Sequence, residues 1–535
     1  MPENKRLLSR PPRVWRYDAR MRARFAICIL VVAAACGGKK SFESLCDNQV
    51  PPPVACMTEC DPAPGAPSTC PDGFFCSPDG HCDAQCTADG NQCGDGYHCT
   101  PDGRCIGDDE CVGLECNIVD CAAQGKQPTS ISGTVFAPNG TLPLFGVTVY
   151  VPNTANYPLP PFTDGVTCGR CDDPLPGSPI TSVQSDEAGH FSIVGVPSGT
   201  NIPLIITIGK FRRQITIPTV AECTDNALGG ADTRLPKNKT EGDLPKIALT
   251  TGSADSLECL LRKVGIDDAE ITNSTGPGRV HYYAGNGVQN FKAGFAGAAS
   301  GANLTGAQAF WDSLDNLKAY DIVILSCEGA QEDTQGATHK SQGALDAMKG
   351  YADIGGRVFA SHWHNIWIGG NFQDNNPGLA PAVWKTLGTW SAGTDLGGGT
   401  IDLIDEVSNP KGAPFATWML NVQGSTTRDQ IPIIDGTGRS TSATIDMNKV
   451  ERWTFVQGQG GTPQNFQFTT PQEGDAAARC GKVVFSDMHV SGGPTANTPF
   501  PDSCTGGGGN LTLTPQEKAL AFMFFDINSC VGAIF

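Results

Sequence analysis

Asp321-Ile322-Val323-Ile324-Leu325-Ser326-Cys327-Glu328-Gly329, followed further on by Gly355-Gly356-Arg357-Val358-Phe359-Ala360-Ser361-His362-Trp363-His364, decides the fold of the C-terminal half. The first run is apolar and β-branched and stops at a polar loop, as a buried parallel strand does. Leu345, Met348, Tyr351 and Ala352 then recur at helical spacing, and the Gly355-Gly356 pair ends that helix before Arg357-Val-Phe-Ala360 starts a second strand. Strand, helix, strand is a βαβ unit, and ligands of open α/β sheets bind beyond the carboxyl ends of the strands. Cys327, Glu328, His362 and His364 all fall there.

Working outward, Lys246-Ile-Ala-Leu-Thr250 reads as another strand, and Ser253-Ala-Asp255 as the start signal of a helix over 256–264. Gly481-Lys-Val-Val-Phe-Ser486 reads as the last strand and delivers Asp487 and His489, and 515–526 reads as a final helix. The segment 372–467, rich in Gly, Asn and Thr, reads as an insertion of loops and short strands able to wall the site. These runs resemble the class I glutamine amidotransferase-like fold, nearest its trehalose-utilisation (ThuA-like) branch, from Leu244 to the C-terminus. The resemblance implies an α/β flavodoxin-like parallel sheet. It also implies, for active amidotransferases, a nucleophilic Cys after the strand matching Arg357–Ala360, with a later His and Glu. Here Ser361-His362 stands at the first place and Asp487-Met488-His489 at the later one, so that triad is absent as a motif.

Eight His occur in the chain, and His362, His364 and His489 follow strands expected side by side. In an extended backbone His-x-His presents both rings on one face, and Asp487-x-His489 adds a carboxylate. His362, His364, Asp487 and His489 are therefore candidate ligands for a divalent metal, the only candidate cofactor. The bland alternative is a hydrogen-bonded polar cluster left in a fold without its enzyme. Catalytic candidates are Ser361 with a His base, and Cys327 beside Glu328 as a thiol nucleophile. No Gly-x-Ser-x-Gly supports Ser361. Cys259, Cys480, Cys504 and Cys530 share the domain, so Cys327 is expected in a disulfide.

The N-terminal half reads as delivery and support. Arg13, Arg16, Arg20, Arg22 and Arg24 precede Phe25-Ala-Ile-Cys-Ile-Leu-Val-Val-Ala-Ala-Ala35, an apolar run too short to span a membrane and placed as in an export signal. Ala34-Ala35-Cys36-Gly37 resembles a bacterial lipoprotein signal, with Ala33 where that motif prefers Leu. The resemblance implies lipidation of Cys36, attachment to a membrane and, with Gly37, delivery to the outer membrane. An ordinary signal cut near Ala35 is the alternative, and either Met1 or Met21 serves as the start. Of 23 Cys, removing Cys28 and Cys36 leaves 21, a number suited to an oxidising compartment and, being odd, leaving at least one thiol unpaired or paired between chains.

Residues 37–55 read as a tether. Over 56–121, Cys70-Pro-Asp-Gly-Phe-Phe-Cys76-Ser-Pro-Asp-Gly-His-Cys82 recurs 23 residues later as Cys93-Gly-Asp-Gly-Tyr-His-Cys99-Thr-Pro-Asp-Gly-Arg-Cys105. These units carry too few aliphatic residues for a core and must be stapled by disulfides. They lack the short Cys-x-x-Cys knuckles of zinc sites. Over 129–223 the alternation of Ile131-Ser-Gly-Thr-Val135 and Gly146-Val-Thr-Val-Tyr-Val151 reads as a small antiparallel sandwich. With Ser185-Asp-Glu-Ala-Gly189-His-Phe-Ser-Ile193 and Val196-Pro-Ser-Gly199, it resembles carboxypeptidase regulatory-like (transthyretin-like) domains, which implies an accessory role. Cys168-Gly-Arg-Cys171 reads as a loop disulfide pattern with Cys223 a candidate partner, and 224–243 as a linker before the 244–535 domain.

The expected whole is multidomain: disulfide-rich repeats, an antiparallel β-sandwich, then an α/β flavodoxin-like parallel sheet with an insertion. A net charge of −18 argues against nucleic acid. The expected role is a cell-surface lipoprotein binding an extracellular polysaccharide or protein partner without turnover. The competing class is a metal-dependent or Ser/His hydrolase of extracellular carbohydrate or peptide, and a purely structural envelope protein is a third.

Overall fold

The computed structural model describes residues 42–532 except 63–68, 72, 88–89, 91, 101, 108–109, 155, 296–300, 332–337, 372–378, 435, 458–460, 491–497 and 505–508. The expected export signal and Cys36 lie outside the described residues. Ser44–Phe535 forms one compact unit. No helix among the described residues is long and apolar enough to cross a membrane.

In the repeats, Cys60–Cys76 interlocks with Cys70–Cys82, and Cys86–Cys99 with Cys93–Cys105. Both units thus use one pairing pattern around a two-stranded ribbon, Phe75–Cys76 with Cys82–Asp83 and Tyr97–Cys99 with Cys105–Gly107. The turn is set by its polar residue: Thr100 Oγ1 donates to Arg104 O at 3.0 Å and also bonds Asp102 Oδ1. The tether of 37–55 is shorter than the sequence suggests. Cys46 is bonded to Cys56, and Leu45 N donates to Ala84 O at 2.6 Å, so the segment from Ser44 onward is docked on the repeats.

The sandwich pairs a four-stranded sheet (Phe211–Val220, Gly199–Ile208, Thr148–Pro152, Pro179–Gln184) with a three-stranded one (Asp225–Ala227, Ser130–Thr134, His190–Val194). Along His190–Val194 exposed and buried residues alternate, because successive side chains of a strand point to opposite faces. Asp225–Ala227 runs parallel to Ser130–Ser132. The sandwich is therefore not purely antiparallel, and 224–243 is not a free linker, because its first residues complete the second sheet.

The C-terminal sheet runs Ile271–Asn273, Val280–Ala284, Ile247–Thr250, Ile322–Leu325, Arg357–Ser361 and Gly481–Ser486, all parallel. Leaving aside the Ile271–Asn273 edge strand, numbering these strands along the chain gives the order 2-1-3-4-5, the flavodoxin-like arrangement. The sheet then continues antiparallel through Thr462–Thr470, Glu451–Val456, Ile401–Ile404 and Gln430–Pro432. Much of the expected insertion is thus an extension of the central sheet, which is mixed rather than parallel throughout. The remainder includes a hairpin, Gly388–Leu396 with Gly438–Ile445.

Sandwich and α/β sheet share one core rather than standing as separate beads. Phe211 packs on Phe524 and Phe525, and Phe145 on Phe522 of the Pro515–Ile527 helix. Lys210 pairs with the buried Asp321. Cys168–Cys480 and Cys171–Cys530 clamp the two layers, whereas Cys223 pairs with Cys121. The Cys168-Gly-Arg-Cys171 loop is thus a double clamp between layers and has no bond to Cys223.

Candidate functional site

The loops after Ile322–Leu325, Arg357–Ser361 and Gly481–Ser486 converge, because these strands are parallel neighbours and end at one level. Ser326 to Glu328 can pass close beneath the first βα loop because that loop has Gly252, where a Cβ would lie 2.1 Å from Cys327 O. Cys327, His362 and His489 meet there. Their ligating atoms all lie within 4.8 Å of one another, and Cys327 Sγ is 3.3 Å from His362 Nδ1. The His362 and His489 rings meet edge to face with centroids 4.9 Å apart.

Cys327 is a free cysteine, so the expected disulfide is not formed; the other four cysteines of its domain pair elsewhere. The four-residue metal set is also corrected. His362 adopts φ +46°, turning the chain out of the strand into the His362–Asn365 3-10 turn, so the extended His-x-His geometry does not arise. His364 is carried away: Nε2 lies 2.9 Å from Ser326 O, and Nδ1 accepts from Trp367 Nε1 at 2.9 Å. Asp487 accepts from Thr441 N at 2.7 Å, Ser442 N at 3.0 Å and Thr441 Oγ1 at 2.6 Å, which pins the Gly388–Leu396/Gly438–Ile445 hairpin over this end of the sheet.

Ser361 has no imidazole partner. Its Oγ donates to Asp255 Oδ2 at 2.8 Å, and Asp255 Oδ1 also accepts from Val490 N at 2.9 Å. Asp255, read from sequence only as part of a helix start, is thus the residue that joins the first, fourth and last strand loops. Its position beyond the first parallel strand was the available signal. Glu328 is ion-paired with Lys340 in full burial.

Burial governs the electrostatics here, since it penalises whichever form is charged. It pushes the Cys327 thiol up to about 12, with Asp255 and Glu328 nearby adding to the effect. It holds the His362 imidazole down to about 3 and those of His364 and His489 well below the ordinary range. It raises Asp255 to about 7 and Asp487 to about 6. Cys327, Ser361 and His489 are fully buried and His362 is 5% exposed. The pair is a thiol against a neutral imidazole, shielded from water.

A separate cavity of about 760 Å³ opens at the other end of the parallel strands, between them and the sandwich. Thr148, Arg170, Gln184, Lys210, Asp321 and Arg357 line it. Its cations, which also include Arg212, are already engaged: Lys210 by Asp321, Arg212 by Asp243, Arg357 by Cys480 O at 2.6 Å, and Arg170 by Asp172.

No protein-family model and no curated protein matches the chain. Among solved structures, a cytoplasmic protein from Salmonella typhimurium is 12% identical, covering 52% of this chain and 97% of its own, with a TM-score of 0.27. A ThuA-like protein from Bacteroides uniformis ATCC 8492 is 10% identical over 52% of this chain and 90% of its own, with a TM-score of 0.26. A chain of a type II cohesin–X-dockerin complex from Acetivibrio cellulolyticus is 18% identical over 28% of this chain and 76% of its own, with a TM-score of 0.14.

Proposed function

We propose that the chain is an exported, lipid-anchored protein of the cell envelope whose α/β domain binds an extracellular polysaccharide or protein and does not turn it over. The observation that supports this reading is the burial of Asp255, Cys327, Glu328, Ser361, His362, His364, Asp487 and His489 at the carboxyl ends of the strands. Catalysis by Ser361 or Cys327 needs a nucleophile, a base in contact with it and room for a substrate carbonyl. Ser361 is spent on Asp255, and the Cys327–His362 pair is neutral and dry. Ten disulfides among the described residues support folding in an oxidising compartment. The inter-layer cavity falls within the size range of ligand sites, and two disulfides tie together the layers that flank it.

The test has two arms. Detergent phase partition of the exported protein is expected to place the wild type in the detergent phase and Cys36→Ala in the aqueous phase. The purified protein, offered chromogenic esters, peptides and glycosides, is expected to release no product. Turnover that disappears in Ser361→Ala or Cys327→Ser overturns the binding reading and puts a hydrolase in its place.

A further inference from the structure

We propose that Cys327, His362 and His489 form a binding site for one zinc ion. A thiol sulfur and two imidazoles are donors that zinc takes, and the set contains none of the oxygen ligands that calcium or magnesium requires. Metal bonds of about 2.0 to 2.3 Å place donor atoms about 3.5 Å apart around a shared centre. Cys327 Sγ and His362 Nδ1 already stand at 3.3 Å, and no donor pair exceeds 4.8 Å, so closure by about 1 Å, within side-chain rotation, completes the set.

An independent observation points to a ligand. Among the described residues neither ring nitrogen of the fully buried His489 has a hydrogen-bond partner, although its ring abuts His362. A core histidine normally finds a partner for its ring nitrogens, as His364 does here. His489 faces the cluster with donors unspent.

The two other cysteine clusters of similar size, Cys60/Cys70/Cys82 and Cys86/Cys93/Cys99, are consumed by disulfides and offer no thiolate. Binding exchanges the Cys327 thiol proton for the S–Zn bond, releasing one proton to solvent with no change of oxidation state. Three protein ligands leave the fourth zinc position for a water, and the bound ion would join the ends of three neighbouring strands. The site does not depend on the binding reading above, because it sits at the opposite end of the strands from the cavity.

The full exported chain is refolded oxidatively with zinc, gel-filtered against a weak chelator, and analysed for zinc and disulfide content. About one zinc per chain is expected. Cys327→Ser and His489→Gln, each with native far-UV circular dichroism, are expected to retain at least about tenfold less. Cobalt in place of zinc is expected to give a thiolate charge-transfer band that Cys327→Ser abolishes. Asp487→Asn, at a residue bonded to the hairpin, is expected to retain zinc as the wild type does. Two ligand variants are used so that one that misfolds leaves the other to decide. Zinc-free wild type with its disulfides formed, or retention unchanged in both ligand variants, overturns the site.

Discussion

Glu258 gives the sharpest stability prediction. It lies on the Leu257–Lys263 helix, is fully buried, and neither carboxylate oxygen has a hydrogen-bond partner among the described residues. Burial, with the charge of Asp255 adding, raises its folded-state value from 4.5 to about 8. The folded chain therefore holds a proton on Glu258 between about pH 4.5 and 8 that the unfolded chain has released. Stability falls as pH rises through that window and levels off above it. At about 1.4 kcal/mol per pH unit, rounded at both ends, the loss between pH 5 and pH 8 is on the order of 3 kcal/mol. Glu258→Met keeps the side-chain length and removes both the titration and a buried unpaired carboxyl. It is expected to stabilise the protein by about 1 to 3 kcal/mol at pH 5, from the polar group alone. At pH 8 the gain is expected to be larger by on the order of 3 kcal/mol. Urea denaturation midpoints with disulfides intact, at both pH values, measure this. Equal gains at pH 5 and pH 8, or a variant weaker than wild type at both, would refute the reasoning.

Two further predictions concern the shared core. Lys263 Nζ donates to Glu517 Oε1 at 2.6 Å and Oε2 at 2.9 Å in nearly complete burial, so Lys263→Met strands a carboxylate and is expected to cost about 3 to 5 kcal/mol by urea denaturation. A loss under about 1 kcal/mol would show that the pair contributes little. The Cys168–Cys480 clamp closes a separation of 312 residues, and Cys168→Ser/Cys480→Ser is expected to lower stability by about 2 to 5 kcal/mol and to speed limited proteolysis at the layer junction. An unchanged digestion pattern would mean that the packing of Phe211 and Phe145 holds the layers without it.

The parallel half of the C-terminal sheet was legible because Ile322–Leu325, Arg357–Ser361 and Gly481–Ser486 each bury a continuous apolar run on both faces. The sandwich was legible through alternation, and the repeats through their constant cysteine offset. Short strands are legible within 372–467, but their pairing onto Gly481–Ser486 as an extension of the central sheet is not, because it depends on contacts between segments far apart in the chain.

The sequence by itself determined which residues reach the carboxyl ends of the strands, since strand ends follow from local patterning and turn residues. It also leaves an odd number of cysteines, 21, once Cys28 and Cys36 are set aside with the expected export signal. Only the tertiary structure decided that the thiol is Cys327, that His362 turns back toward it while His364 and Asp487 are drawn into other hydrogen bonds, and that Asp255 holds Ser361. Those choices depend on contacts between loops far apart in the chain, and on a left-handed turn at His362 that no local periodicity encodes.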